Sequence, residues 1–517
     1  MKFDALVHGI KKRAERSAWQ RCLMAFVFGM VGALALPPTN LFPLFCLSFP
    51  AYVILLRDAP SLLKAFAVGW SFAFGLFLLG LYWTAAAMFV DIATFWWAVP
   101  LAAAGLPAAL ATFYAIAASL SWRLGLRGTA EALTSALLWF LADYARGHLF
   151  TGFPWNLEGY GWSGFLPVMQ FTSVAGIYGL TLLTLIVSFL PAAISDENRS
   201  GKRLFIAGLA VFAVLAGWGM WRLQTVDPST DTRLRIVQPN INQAEKWSAE
   251  GGDAHFTELL DLSSAEAPVA PRIIFWPETA STFYLEEDAA HRRMLAARLS
   301  EGSYLLTGVI RRNLGADGHV HYANALVAVD RTGRLAAAYD KFHLVPFGEY
   351  IPFRKFIPIR TLANLGVDFT AGKGLQTLKL DELPTFSPLI CYEAIFPGEV
   401  ARRDERPDFL VNITNDGWYG RTAGPYQHFA SARARAIEEG LPLVRSANTG
   451  ISAVIDPHGR STAKINLSAK GFVDAYLPHA LPPTIFSRYG EKPLWAMFAG
   501  FLLLGLGLRH RAKVTQR

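Results

Sequence analysis

Apolar residues are spread unevenly along this chain. Before residue 223 they fall in long runs, at roughly 22–36, 41–56, 65–88, 95–121, 130–145, 168–194 and 204–221, and one further run covers roughly 493–508. Each approaches the roughly 20 residues an α-helix needs to cross about 30 Å of hydrocarbon. The pattern therefore predicts eight transmembrane helices, with room in 65–88 and 95–121 for tilt or an interfacial extension. Between these blocks, short apolar runs alternate with amphipathic stretches, the pattern of a layered α/β domain. Strands are expected at 234–238, 273–276, 304–309, 325–329, 335–339, 389–392, 409–413, 443–446, 452–455 and 463–465, and helices at 254–264, 289–300, 398–403 and 425–439. Three regions follow: a membrane domain over 1–222, an α/β domain over 223–491, and a last span with a basic tail over 492–517.

Charge gives this outline an orientation. Residues 1–20 carry Lys11, Lys12, Arg13 and Arg16 among spaced apolar residues, which predicts a basic amphipathic helix on a membrane surface. Arg57 with Lys64, Arg123 with Arg127, Arg199 with Lys202 and Arg203, and Arg509 with Arg511 all fall in loops on one side of the predicted spans. The short loops of the other side hold only Arg146. Basic loops stay in the cytoplasm, so both termini are expected there and the α/β domain outside. Ala33-Leu34-Ala35 looks like a signal-peptide cleavage site, but the long basic leader favours a retained first helix.

At 517 residues, 53% hydrophobic and 17% charged, the composition excludes an ordinary soluble protein. The net charge of +8 is accounted for by membrane anchoring rather than nucleic-acid binding. Asp91, Glu131 and Asp143 lie near run ends and form no ion-relay pattern, which argues against a transporter. The loop over 148–165 holds Phe150, Phe153, Trp155, Tyr160 and Trp162. It is read either as an aromatic belt at the headgroups or as a wall along which lipid reaches the outer domain.

Four segments of the α/β region share one arrangement, an apolar run ending in polar residues beside Pro or Gly. They end in Trp276-Pro277-Glu278, in Asp340-Lys341 through Pro346-Phe347-Gly348-Glu349, in Cys391-Tyr392-Glu393, and in Asn415-Asp416-Gly417-Trp418. Strand ends are where α/β folds carry chemistry. Cys22 and Cys46 lie in membrane runs, so Cys391 is the one thiol of the polar region. Singly, each residue has an ordinary reading: an inert buried Cys, a solvated turn Glu, a surface-paired Lys. Together they supply what a thiol with an intrinsic pKa of about 8.5 needs to attack a carbonyl, namely a base, a nearby positive charge and a donor for the developing oxyanion.

These segments, with Arg445-Ser446-Ala447-Asn448-Thr449-Gly450, resemble the nitrilase superfamily. A domain of this kind between seven spans and an eighth is similar to its membrane-anchored branch, the bacterial apolipoprotein N-acyltransferases. The resemblance implies an αββα sandwich on the periplasmic side of the inner membrane, with Glu278 as general base, Lys341 as oxyanion stabiliser and Cys391 as nucleophile. It gives Glu349 a positioning role and Tyr392 and Glu393 a part in shaping the site, with the Tyr392 N–H as a second oxyanion donor. Trp247 is implied at the substrate site, against plain packing. The implied reaction moves a fatty acyl group from a membrane phospholipid, through a Cys391 thioester, to the α-amino group of a diacylglyceryl-modified lipoprotein, completing lipoprotein maturation without cofactor or metal in a monomer. Two rivals stand beside it: a membrane-anchored amidase with the same triad, and a sensor or transporter with an outer binding domain, which leaves the triad order unexplained. The segment 350–369, with Ile351, Phe353, Phe356, Ile357, Ile359 and Leu362, is an apolar insertion that either dips toward lipid or packs on its own domain. His321, His343 and His428 show no metal-ligand spacing.

Overall fold

A computed structural model describes residues 17–194, 199–225, 228–246, 251–314, 318–352, 354 and 368–515. The chain divides into two compact units, one of residues 1–88, 93–225 and 489–517 and the other of 89–92 and 226–488. The predicted amphipathic leader, Trp247 and most of the 350–369 insertion lie outside the described residues.

The first unit is helical. Its long helices among the described residues are Ala18–Ala33, Phe45–Arg57, Leu62–Leu81, Val99–Leu124, Gly128–His148, Thr172–Phe189, Arg199–Arg222 and Lys492–Thr515. Ser17 and Ser61 open two of them, each side-chain oxygen accepting from a first-turn N–H. Among the described residues, four helical runs are long and apolar enough to cross a membrane: Leu62–Leu124, which contains two of these helices, Thr172–Ile194, Ser200–Arg222 and Lys492–His510. Ala18–Ala33 and Phe42–Arg57 are apolar but shorter. Four runs, not the expected eight spans, therefore meet the criteria of length and composition. Small residues bring helices to backbone contact: a Cβ on Gly29 would lie 1.9 Å from Phe72 O, and one on Gly75 would lie 2.1 Å from Phe26 O.

The loop after Gly128–His148 is not a simple surface belt. Trp155 and Tyr160 are buried, whereas Phe150 is 92% exposed. Arg146 donates to the carbonyls of Phe153 (2.6 Å) and Trp155 (2.7 Å) and to Asp143 (2.8 Å), while Trp139 donates to Glu158 (2.8 Å). Asn156 donates to Gly80 O at 2.9 Å. Irregular backbone among apolar helices survives only where protein groups satisfy it, and Arg146 does so here. Asp143, near a run end in sequence, is fully buried.

The second unit is a four-layer sandwich. One six-stranded sheet runs β11-β1-β2-β3-β4-β5, and one five-stranded sheet runs β10-β9-β8-β7-β6. The strands are β1 Ser229–Gln238, β2 Ile273–Phe275, β3 Tyr304–Leu314, β4 Val320–Asp330, β5 Leu335–Asp340, β6 Phe386–Ile390, β7 Phe409–Thr414, β8 Leu443–Ala447, β9 Ser452–Ile455, β10 Ser461–Ile465 and β11 Gly471–Pro478. Side chains alternate between layers, as a period of two requires. Ile273 and Phe275 pack between the sheets with Phe409, Val411 and Ile413. Ile274 and Trp276 face outward against Phe256, Leu259 and Leu260 of helix Gly251–Ser263. On the far side Leu389, Leu410 and Leu443 meet Phe429, Ala432 and Ala436 of helix Gly424–Glu439. Strands covered on both faces read as unbroken apolar runs, which is why most were legible.

Three local expectations change. The strand expected at 389–392 ends at Ile390, because Cys391 takes a left-handed φ of 52° and opens a helical turn. No helix forms over 398–403, which is turn and bend. The sequence reading missed β11, which pairs antiparallel with β1.

Candidate active site

Four strand ends and one strand interior build the site. In the six-stranded sheet, β2 runs out through Trp276-Pro277 into Glu278, and β5 ends one residue before Lys341. Gly308 of β3 lets the Glu278 turn lie close, since a Cβ there would sit 2.6 Å from Glu278 Cα. In the five-stranded sheet, β6 ends one residue before Cys391, and β7 ends at Thr414 before Asn415 and Asp416.

Glu278, Lys341, Glu349 and Cys391 are all buried. Lys341 Nζ donates to Glu349 Oε1 at 2.9 Å and lies 3.8 Å from Glu278 Oε1. Asn324, inside β4, donates through one nitrogen to Glu278 Oε1 (2.7 Å) and Glu349 Oε1 (2.8 Å), joining the two carboxylates. The other oxygen of Glu278 accepts from the Asn415 N–H at 2.9 Å, and the other oxygen of Glu349 accepts from the Val345 N–H at 2.8 Å. Burial favours the neutral amine of Lys341, but the Glu349 and Glu278 carboxylates outweigh it and raise its pKa far above the ordinary value, so it stays an ammonium. Burial and the Glu278 charge push the Cys391 thiol up to about 12, against the opposing pull of Lys341. At neutral pH the resting group is therefore a thiol.

Glu393 ties the two sheets' loops together. Its Oε1 accepts from Tyr339 OH (2.8 Å), Phe342 N (2.9 Å) and His343 N (3.2 Å), and its Oε2 accepts from Ile390 N at 2.7 Å. Burial raises it to about 7 despite these bonds. The Tyr392 ring is buried, edge-on to Phe396 at 5.1 Å. Asn324 was missed because nothing in a strand interior marks it, and Lys246 because only its neighbour Trp247 drew attention. Lys246 Nζ donates to Glu278 O (3.1 Å) and Thr279 Oγ1 (2.7 Å), and burial lowers it to about 8. Among the described residues no group of three or more His, Cys, Asp or Glu could hold a metal ion.

The site joins a carboxylate, an ammonium and a thiol at strand ends of two facing sheets, an arrangement suited to acyl transfer through a thioester. Two family models match the chain: the carbon-nitrogen hydrolase model over residues 233–481 and the apolipoprotein N-acyltransferase N-terminal domain over 28–190. An apolipoprotein N-acyltransferase from Brucella melitensis biotype 1 is 40% identical over 509 residues, covering 94% of each chain. Another from Bradyrhizobium diazoefficiens is 40% identical with 96% of each chain covered, and one from Agrobacterium fabrum is 41% identical over 94% of this chain and 95% of its own. By whole-length likeness that takes in both units, this chain belongs to the apolipoprotein N-acyltransferase family.

Proposed function

We propose that this chain transfers a fatty acyl group from a membrane phospholipid to the α-amino group of a diacylglyceryl-modified lipoprotein, with Glu278, Lys341 and Cys391 as the catalytic groups. The whole-length family likeness carries the reading. A membrane-anchored amidase would share the thiol domain, but the match of the helical unit to the N-terminal domain of this family favours the transferase.

In the first half-reaction Glu278 takes the Cys391 proton as sulfur attacks the ester carbonyl of the phospholipid. Lys341 and the Tyr392 backbone N–H hold the oxyanion; the C–O bond then breaks, and the lysophospholipid leaves with the proton from Glu278. In the second, the lipoprotein amine loses a proton to Glu278 and attacks the thioester, the C–S bond breaks, and the proton returns to sulfur. An amide replaces a thioester, so this half runs downhill. Glu349 holds Lys341, Glu393 and Tyr392 shape the turn that presents the thiol, and Trp247 contacts substrate.

Both substrates carry acyl chains whose extraction from lipid costs about 0.8 kcal/mol per CH₂. The reaction therefore takes place at the bilayer, and we place the chain in the bacterial inner membrane with eight spans, cytoplasmic termini and the catalytic domain over 223–491 in the periplasm, acting as a monomer. The one-sided distribution of Lys and Arg supports this orientation.

Intact-mass measurement tests the chemistry. Wild-type protein incubated with a defined phospholipid gains one acyl group, Cys391→Ser gains no thioester, and a diacylglyceryl peptide then removes the group as N-acyl peptide. Release of free fatty acid in place of N-acyl peptide would instead establish the amidase.

A further inference from the structure

Behind the nucleophile lies a buried polar relay that the reaction above does not use. His428, on the helix Gly424–Glu439, is fully buried, as are Asp416 and Arg445. Its Nε2 lies 3.0 Å from the carbonyl oxygen of Cys391, and its Nδ1 lies 2.8 Å from Asp416 Oδ1. Asp416 accepts in turn from Arg445 (2.8 Å) and Thr414 (3.0 Å). Arg445 also donates to Ile451 O (3.2 Å) and to Asn412, so the far end of the relay is anchored in β7 and in the turn before β9. A carbonyl oxygen can only accept, so Nε2 carries hydrogen in this geometry.

The Cys391 carbonyl needs such a holder. Cys391 has a left-handed φ of 52°, a conformation unfavourable for a non-glycine residue that persists only where its surroundings impose it. That backbone turn ends β6 and sets where Sγ points. The bond from His428 is made to the same residue whose backbone is strained. Arg445, whose Nη2 lies 3.1 Å from Nδ1 and is itself paired with Asp416, donates to the ring and keeps the imidazole from rotating away. Burial and the Arg445 charge lower the His428 pKa, while Arg445 and His428 overcome burial to hold Asp416 at about 2, so the carboxylate end of the relay stays ionised.

We infer that His428 is a positioning residue for the nucleophile. Its Nε2–H pins the Cys391 carbonyl, with Asp416 and Arg445 holding the ring, so that the sulfur is aimed at the acyl carbonyl. The inference rests on Cys391 being the acylated residue.

The test compares full-length His428→Phe, His428→Gln and His428→Asn with wild type in single-turnover acylation by a defined phospholipid, followed by intact mass, with thermal unfolding run in parallel. His428→Phe keeps the ring's bulk without a donor, and its acylation rate is expected to fall about 100-fold, the scale of a misplaced reacting atom. The longer amide of Gln reaches the carbonyl and restores at least about tenfold of that loss, whereas the shorter Asn does not. A purely structural role would not separate Gln from Asn at matched unfolding temperature. Wild-type acylation by folded His428→Phe overturns the inference. If His428→Phe does not fold, equal rates for Gln and Asn overturn it instead. Absence of acylation in wild type itself would overturn the proposed function, a result distinct from either.

Discussion

Each unit buries a cluster of ionisable side chains, and the two clusters differ in how far along the chain their members are drawn. In the helical unit Asp143, Arg146, Phe153 and Trp155 lie within thirteen positions of one another, and the Arg146 guanidinium is spent on Asp143, Tyr114 and the two loop carbonyls. In the sandwich Glu278, Asn324, Lys341 and Cys391 come from four separate strands or their ends and Glu349 from the turn that follows β5, and the thiol lies 3.9 Å from Tyr419 OH. A mostly local cluster, whose guanidinium is divided between neighbouring side chains and two loop carbonyls, holds a loop in place. A cluster gathered from distant strands, with charged groups set around a thiol, has the parts that the proposed acyl transfer needs. Burial of charge is common to both, so burial by itself is not the mark of an active site.

Removing the sulfur should break the comparison most severely. Cys391→Ala is expected to lower acyl transfer by about 10⁴-fold or more, with no acyl adduct by intact mass. Lys341→Met comes next: loss of one oxyanion donor is expected to lower acylation about 10²–10³-fold. It also leaves Glu278 and Glu349 buried without their ammonium, which should cost about 3–5 kcal/mol in thermal or denaturant unfolding.

Arg146→Met sharpens the contrast from the other side. It takes the counter-charge from Asp143 and one donor from each of two loop carbonyls, and unfolding in detergent should register a similar loss of about 3–5 kcal/mol. Acylation by the molecules that remain folded should change far less than for Lys341→Met. Equal catalytic losses would mean that the helical cluster takes part in the reaction. Asn324→Leu should have a smaller effect, about 1–3 kcal/mol in stability from the bond lost at Glu278 Oε1, since Glu349 Oε1 keeps its bond from Lys341, together with slower acylation as Glu278 loses its fixed orientation.

The smallest effect is a pH slope. Glu393 titrates at about 7 when folded against an ordinary value of 4.5, so between these values the folded state binds more protons than the unfolded. Stability from this group is therefore full below about pH 4.5 and declines as pH rises to about 7. Asp416, held at about 2, works in the opposite sense, and its contribution is lost as pH falls below its ordinary value of 3.8. Glu393→Gln should flatten the slope between pH 4.5 and 7 in unfolding measurements and leave the acid limb in place.

Much of the site was legible in advance, for identifiable reasons. Glu278, Lys341, Cys391 and Glu349 each follow an apolar run and stand near Pro or Gly, so the local pattern marks them as strand-end residues. Asn324 carries no such mark: it lies in the middle of β4 and faces the carboxylates only because β4 pairs between β3 and β5. His428 was set aside for lacking metal-ligand spacing. Its partners include a backbone carbonyl 37 residues away and Arg445, neither of which a ligand pattern describes. The loop after Gly128–His148 was read from its aromatic content alone, and the Arg146 bonds that fold it inward depend on where its neighbouring helices stand.

By itself the amino-acid order determined the features set by near neighbours: the apolar runs of helical length, the two-sided strands of the sandwich, the basic loops, and the residue types waiting at strand ends. Tertiary structure alone decided which of those polar groups meet. Sheet order and register bring residue 278 to residue 349 and both to Lys341, and a single left-handed residue turns the thiol out of its strand. Such pairings depend on contacts between positions tens of residues apart, and their energies appear only once the intervening chain has packed.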